Sequence, residues 1–300
     1  MPSTEMQQLK MIMKQMMEVG FVPKFDGSLD PYKLREVVQN AQTHMADEPG
    51  VEFIQETLGG IECELSLPEC ARTDAVVFYI HGGGLICGNA ATSRGFASML
   101  AGESRFPVWS CSYRLAPEHQ YPAAQEDCFA VYEALLEKYP DVPIFLIGES
   151  AGAYLSLAVT IMARNRSVKL PAGIIPYSAP IEFSGVLDRD FAENEDFTVT
   201  PSGVQIMGQL YLTQADAGKP EAEPYYDDLH GFPPVLLSWD ENESLSVDSI
   251  ILEEKCKAAG VETEAYHHPH CFHAYATTGR GTPESYEILK KTVSFFQEHL

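Results

Sequence analysis

Ser150 sits in Gly148-Glu149-Ser150-Ala151-Gly152, between the apolar run 143–147 and the apolar-periodic run 154–159. A serine on a strand-to-helix turn flanked by glycines is a nucleophile elbow: the turn is too sharp for a Cβ on either side, and the hydroxyl stands clear of the backbone. Such a hydroxyl needs a general base, itself oriented by a carboxylate. Both types lie downstream. Asp240, Glu241, Glu243 and Asp248 follow the apolar run 235–239, and His267, His268, His270 and His273 crowd the last loop with Cys271. Upstream, the run 75–80 ends in His81-Gly82-Gly83-Gly84, whose bare N–H groups can approach a ligand without side-chain obstruction. Gly83, Gly84 and the N–H of Ala151, directly after the serine, are candidate oxyanion-hole donors for the tetrahedral intermediate of acyl transfer.

Other chemistries suit the same residues less well. A triple glycine after a buried strand could cradle phosphate, but no Lys-Ser or Lys-Thr follows, and a G-x-G-x-x-G pattern begun at Gly82 fails at Cys87. Histidines beside a thiol could bind zinc. Adjacent residues do not readily all face one ion, however, and there is no His-Glu-x-x-His helix or spaced cysteine pair, so neither a metal nor another cofactor is expected. Twenty basic against 43 acidic residues give a net charge of −23, which repels a phosphate backbone and an anionic lipid surface alike. Nucleic acid and stable membrane association are therefore not expected.

Positioning these groups requires a sheet. The run 75–80 is continuously apolar, β-branched and aromatic, the pattern of a strand buried on both faces and covered by helices. Further strands are expected at 51–53, 61–67, 106–110, 143–147, 172–177, 235–239 and 261–266, with a helix over 127–139 and another after the elbow. Thr282-Pro283 caps a closing helix carrying Tyr286, Leu289, Val293 and Phe296 on one face. At the start, Thr4 with Gln7 reads as a capping box, and Leu9, Ile12, Met13, Met16 and Met17 recur at helical spacing. That stripe suits either a core-facing helix or a mobile lid. Asp30 before Pro31 opens a second helix through roughly His44. Between 181 and 225 the composition changes: Asp188, Asp190, Glu193, Glu195 and Asp196 crowd a loop, and Val204, Ile206, Met207, Leu210 and Tyr211 make one amphipathic helix. Seven scattered cysteines without a C-x-x-C pair fit reduced thiols, and Lys10, Lys14 and Glu18 interrupt any signal-peptide core. No later run approaches a membrane span, and the chain is expected in the cytoplasm.

Three motifs in order carry a family resemblance: His81-Gly82-Gly83-Gly84; then Tyr113-Arg114-Leu115-Ala116-Pro117-Glu118-His119 with Tyr121-Pro122-Ala123-Ala124 and Asp127; then Gly148-Glu149-Ser150-Ala151-Gly152. Together they resemble the hormone-sensitive-lipase-like carboxylesterases, the bacterial family IV esterases of the α/β-hydrolase fold. Two departures are visible, Glu149 where Asp is usual and Ala153 where a further Gly is usual. The resemblance implies an α/β fold with a mixed, mostly parallel sheet, a core over 51–180 and 226–300, and a helical cap from 1–50 and 181–225. Related sequences place the acid two residues before a Leu and five before an Asp. That register selects Glu243, against Leu245 and Asp248, with Asp240 at the strand end as the alternative. Phe272-His273-Ala274-Tyr275 matches the pattern around the family's base and selects His273, with His270 as fallback. The implied activity is serine carboxylesterase, with Ser150, Glu243 and His273 hydrolysing small-molecule esters of short acyl chains through an acyl-enzyme. No cofactor is implied, and many members form homodimers. Amide, formamide or lactone hydrolysis would use the same machinery. A plant gibberellin receptor also resembles the family but lacks the histidine, which this chain keeps.

Overall fold

The computed structural model describes every residue except 23, 43–46 and 192–193, and the side chains of 41 and 42 are likewise outside the description. Two helices, α1 (Thr4–Glu18) and α2 (Pro31–Gln42), precede the hairpin β1 (Val51–Leu58) and β2 (Ile61–Pro68). Strand and helix then alternate: β3 (Val76–Ile80), α3 (Arg94–Ser104), β4 (Val108–Cys111), α4 (Ala123–Lys138), β5 (Ile144–Glu149), α5 (Ala151–Asn165) and β6 (Gly173–Tyr177). After α6 (Pro201–Tyr211) the chain returns through β7 (Val235–Asp240), α7 (Ser246–Ala258), β8 (Thr263–His268) and α8 (Pro283–Glu298). The eight strands form one sheet in the order β1-β2-β4-β3-β5-β6-β7-β8. Pairing is antiparallel from β1 through β2 to β4 and parallel from there to β8.

The unbroken apolar runs are explained by cores on both faces of the sheet. Val76, Phe78 and Ile80 enter one core with Ile144 and Leu146, while Val77 and Tyr79 enter the other with Phe145 and Ile147. Side chains of α4 and α5 fill the first core; α3 and α8 supply Phe96, Leu100, Ile288, Phe295 and Phe296 to the second. This is the two-faced burial that parallel strands require. All seven cysteines are free thiols, and six of them are buried. Among the described residues no helix is long and apolar enough to cross a membrane.

Several local expectations change. The cap of α1 is Ser3, whose hydroxyl accepts from Met6 N–H, one residue before the predicted Thr4 box. Leu9 and Met13 do pack inward, but Ile12 and Met16 are exposed and Met6 is the residue of α1 that is fully buried. Helix α1 lies against α8, tied by Ser3 N–H and Oγ to the Glu284 carboxylate at 2.5 and 2.8 Å, which favours the core-facing reading over the lid. The predicted end of the second helix, His44, and the predicted loop acid Glu193 lie outside the described residues. Helix α4 begins four residues before the expected Asp127, and β1 extends to Leu58. His267 and His268, expected in a loop, belong to β8.

The stretch between β6 and β7 is an excursion with a closed base: Tyr225 N–H donates to Ile181 O at 3.0 Å. Inside it, the buried Glu223 carboxylate accepts from Phe183, Ser184 and Gly218 N–H groups at 2.7, 2.8 and 2.6 Å. Arg189 forms a fork on Asp248 at 2.8 and 2.7 Å, joining the excursion to α7. A bridge between Phe25 and Val199 ties the N-terminal segment to the same excursion.

Candidate active site

Strand β5 delivers Ser150 to the end of the sheet, and the backbone there turns with φ 54° and ψ −123°, a conformation that L residues rarely adopt. The turn is held by Ser150 N–H donating to Tyr177 O at 2.8 Å, on neighbouring β6. Its glycines are demanded by contact. A Cβ on Gly152 would overlap the Ile80 carbonyl oxygen of β3, and one on Gly148 would overlap the Gly152 backbone. Helix α5 begins directly after the serine, so the Ala151 N–H is one of the donors that a helix start leaves without an intrahelical acceptor. Gly83 and Gly84 lie on the loop after β3, both with positive φ. Among the described residues the N–H groups of Gly83, Gly84 and Ala151 donate to no backbone or side-chain acceptor.

His273 Nδ1 lies 2.8 Å from Glu243 Oε2, with both side chains buried. Asp240 is used differently: its Oδ1 accepts from the Cys271 N–H at 3.1 Å. Of the two predicted acids, Glu243 is therefore the one that touches a histidine ring of the predicted set in the site. The His273 Nε2 is buried and has no hydrogen-bond partner among the described residues. It lines a cavity of about 330 Å³ together with Ser150, Gly82, Gly83 and Glu149, walled by Phe25, Phe96, Val199 and Met207. No hydrogen bond joins Ser150 to His273 in this arrangement; such contacts are often loose until substrate is bound.

Burial pulls the His273 pKa down, but the charge and hydrogen bond of Glu243, with Asp196 and Glu149 behind them, outweigh it and hold it above the usual 6.5. Burial pushes Glu243 upward, and His273 offsets this only in part. Asp240 is pushed up to about 7, by burial first and then by the Glu243 charge. His81, behind the glycines, is pulled down to about 4 by burial, and its Nδ1 lies 2.7 Å from Gly82 O, so the ring is neutral and donates there.

The remaining histidines go elsewhere. His267 stacks on Trp239 and meets Glu241 at 2.8 Å, His268 meets the Tyr275 hydroxyl at 2.9 Å, and His270 meets Glu195 at 3.2 Å on the surface. These three rings and Cys271 do not converge on one point, because strand alternation sends His267 and His268 to opposite faces. A residue without any motif does join the site. Asp196 brings a carboxylate oxygen to a cluster with Glu243 and His273 whose ligand atoms lie within 4.8 Å of one another. It is fixed by Thr198 and Val199 N–H groups at 2.9 and 3.0 Å and by Ser244 N–H at 3.2 Å.

Comparison with known proteins places the chain in a family. A family model described as alpha/beta hydrolase fold matches residues 77–277. An esterase of Acinetobacter venetianus is 28% identical, covering 89% of each chain, and an acetyl-hydrolase of Streptomyces hygroscopicus is 27% identical, covering 95% of each. The crystal structure of a hormone-sensitive lipase from a metagenome library superposes with a TM-score of 0.85 at 30% identity, over 91% of this chain and 94% of that one. The chain belongs to the alpha/beta hydrolase fold family, within its hormone-sensitive-lipase-like esterases.

Proposed function

We propose that the protein is a carboxylesterase that hydrolyses short-acyl esters through an acyl-enzyme on Ser150. The observation that carries this reading is the His273–Glu243 pair at 2.8 Å opening on the cavity that also holds Ser150 and the glycine loop. His273 Nε2 takes the Ser150 proton as the hydroxyl attacks the ester carbonyl. Gly83, Gly84 and Ala151 N–H groups receive the developing oxyanion. His273 then gives the proton to the leaving alcohol and afterwards activates water, with Glu243 ionised and holding the ring by its Nδ1–H. Residues 1–50 and 181–225 form the cap, which supplies Phe25, Val38, Val199 and Met207 to the cavity wall. The free thiols fit a cytoplasmic setting.

A cavity of about 330 Å³ is near the small end of ligand pockets, which run from about 300 to 1,000 Å³, and it favours small acyl groups. With nitrophenyl esters, kcat/KM should peak between acetyl and hexanoyl and fall beyond. Anilides of the same acyl length should be slower by at least about tenfold, or about 1.4 kcal/mol of barrier. A maximum at dodecanoyl, or anilides turned over faster than esters, contradicts the reading.

Because catalysis needs neutral His273 and its neighbours favour the charged ring, activity is lost as pH falls through a value above 6.5. Stopped-flow acylation rates from pH 5 to 9 locate that limb. A limb below pH 6 argues against His273 as the base.

A further inference from the structure

The triad leaves Glu149, the residue before the nucleophile, without a task, yet its side chain is built into the site. From the end of β5 it turns back towards β3, and its Oε1 accepts from Gly82 N–H at 2.6 Å. A Cβ on Gly82 would lie 2.9 Å from that same oxygen, so glycine at this position is what lets the carboxyl approach. The other side of Gly82 is held as well: its carbonyl lies 2.7 Å from His81 Nδ1 and accepts from the Tyr113 hydroxyl at 3.2 Å. Gly82 directly precedes Gly83 and Gly84, whose N–H groups have no protein acceptor among the described residues. Glu149 Oε2 is buried and has no hydrogen-bond partner within normal geometry among the described residues, and the residue lines the cavity beside Ser150.

We propose that Glu149 is a positioning residue: through Gly82 N–H it locks the 82–84 loop to the nucleophile elbow, so that the oxyanion donors and Ser150 keep one fixed geometry. The inference rests on the acyl-enzyme reading of Ser150. A loop of three glycines has no side chains to hold it, and a misplacement of about 1 Å at an oxyanion donor costs about 10²-fold in rate. Placing the anchor on the residue next to the nucleophile sets the donors against the attacked carbon itself.

The carboxyl also contributes charge. Tyr79 on β3, Tyr113 beyond β4 and His273 are the titratable groups that face it. Burial pushes Glu149 up to about 7, with Tyr79 and the Gly82 N–H pulling it back, and its negative form helps to hold the His273 ring protonated. Removing that charge while keeping the acceptor therefore moves the acid limb of activity to lower pH.

Glu149→Ala, Glu149→Gln and Ser150→Ala are compared with wild type on nitrophenyl acetate, with thermal melts to confirm folding. The alanine variant should lose about 10²-fold in kcat with KM nearly unchanged. Glutamine, which still offers an oxygen to Gly82 N–H, should restore kcat to within about fivefold and shift the acid limb to lower pH. If the alanine variant does not fold, Glu149→Met replaces it as a side chain of similar size without a strong acceptor. A folded Ala or Met variant with kcat within twofold of wild type overturns the proposal, as does a Gln variant as slow as Ala or one with an unmoved limb. Activity that survives Ser150→Ala overturns the acyl-enzyme reading instead, so the two failures are distinct.

Discussion

Ser150→Ala is expected to lower kcat by about 10⁶-fold with little change in melting temperature, and His273→Ala by a similar factor. The two losses should not add. Once the hydroxyl is gone the ring has no proton to take, so Ser150→Ala/His273→Ala should be no slower than either single variant to within about tenfold. What remains should be the rate supported by the glycine loop and the cavity, about 10³-fold or more above water. Both side chains line one cavity and the ring is already anchored by Glu243, so the pair acts as a unit. Initial rates with nitrophenyl butyrate on freshly purified variants measure this. A double variant slower than each single variant by the full product of the two losses would show that the residues act independently.

Gly152→Ala should be the most damaging single methyl group in the site. The new Cβ would overlap the Ile80 and His81 carbonyl oxygens, which are backbone atoms at the end of a central strand and cannot swing away. Either β3 or the elbow must shift. Overpacking costs about 1–3 kcal/mol in a core that can relax, and this contact is backbone on backbone, so about 3 kcal/mol or more is expected. For a chain of this size that corresponds to a fall of roughly 5 °C or more in melting temperature. The same displacement pulls Ala151 N–H and Ser150 away from the glycine loop, so the variant should also lose at least about 10²-fold in kcat at temperatures where it remains folded. Differential scanning calorimetry with parallel kinetics tests both parts. An unchanged melting temperature with full activity would mean that the elbow is held less tightly than its contacts indicate.

What the chain discloses in its sequence and what it does not divides along the distance over which the controlling contacts act. The elbow was legible because its demand is local and steric: Gly148 and Gly152 are needed by backbone within a few residues and by one neighbouring strand. The buried strands were legible because covered parallel sheet leaves unbroken apolar runs. Helix α7 was missed for a converse reason. Its buried face includes Ser246, Asp248 and Ser249, and Asp248 is neutralised by Arg189 from a segment some sixty residues earlier, so the stretch reads as an acidic loop. Helix α3 buries Ala97, Ser98, Ala101 and Ser104 beside Phe96 and Leu100, a face of small residues with little periodic signal.

The candidate site divides in the same way. Residue type alone left Asp240 and Glu243 as rivals three positions apart, and only the fold shows Asp240 taken up by Cys271 N–H while Glu243 meets His273. The crowded histidines looked like a cluster because sequence proximity hides the alternation of β8, which parts His267 from His268. Asp196 could not have been found by spacing. It reaches Glu243 from another segment, and in the sequence it is one acid among several in a solvated stretch. Glu149 was visible only as a substitution beside the serine; its bond to Gly82 spans 67 residues.

The claim on which the account depends is that an acyl group passes through Ser150. Mixing the enzyme with excess nitrophenyl acetate, whose activated leaving group makes acylation faster than deacylation, and quenching in acid within the first turnovers tests it directly by peptide mass spectrometry. The account predicts one acetyl group on the peptide that contains Ser150, at close to one per chain, and none in Ser150→Ala. Steady turnover with an unmodified Ser150 peptide, or acetylation at full yield in Ser150→Ala, would contradict it.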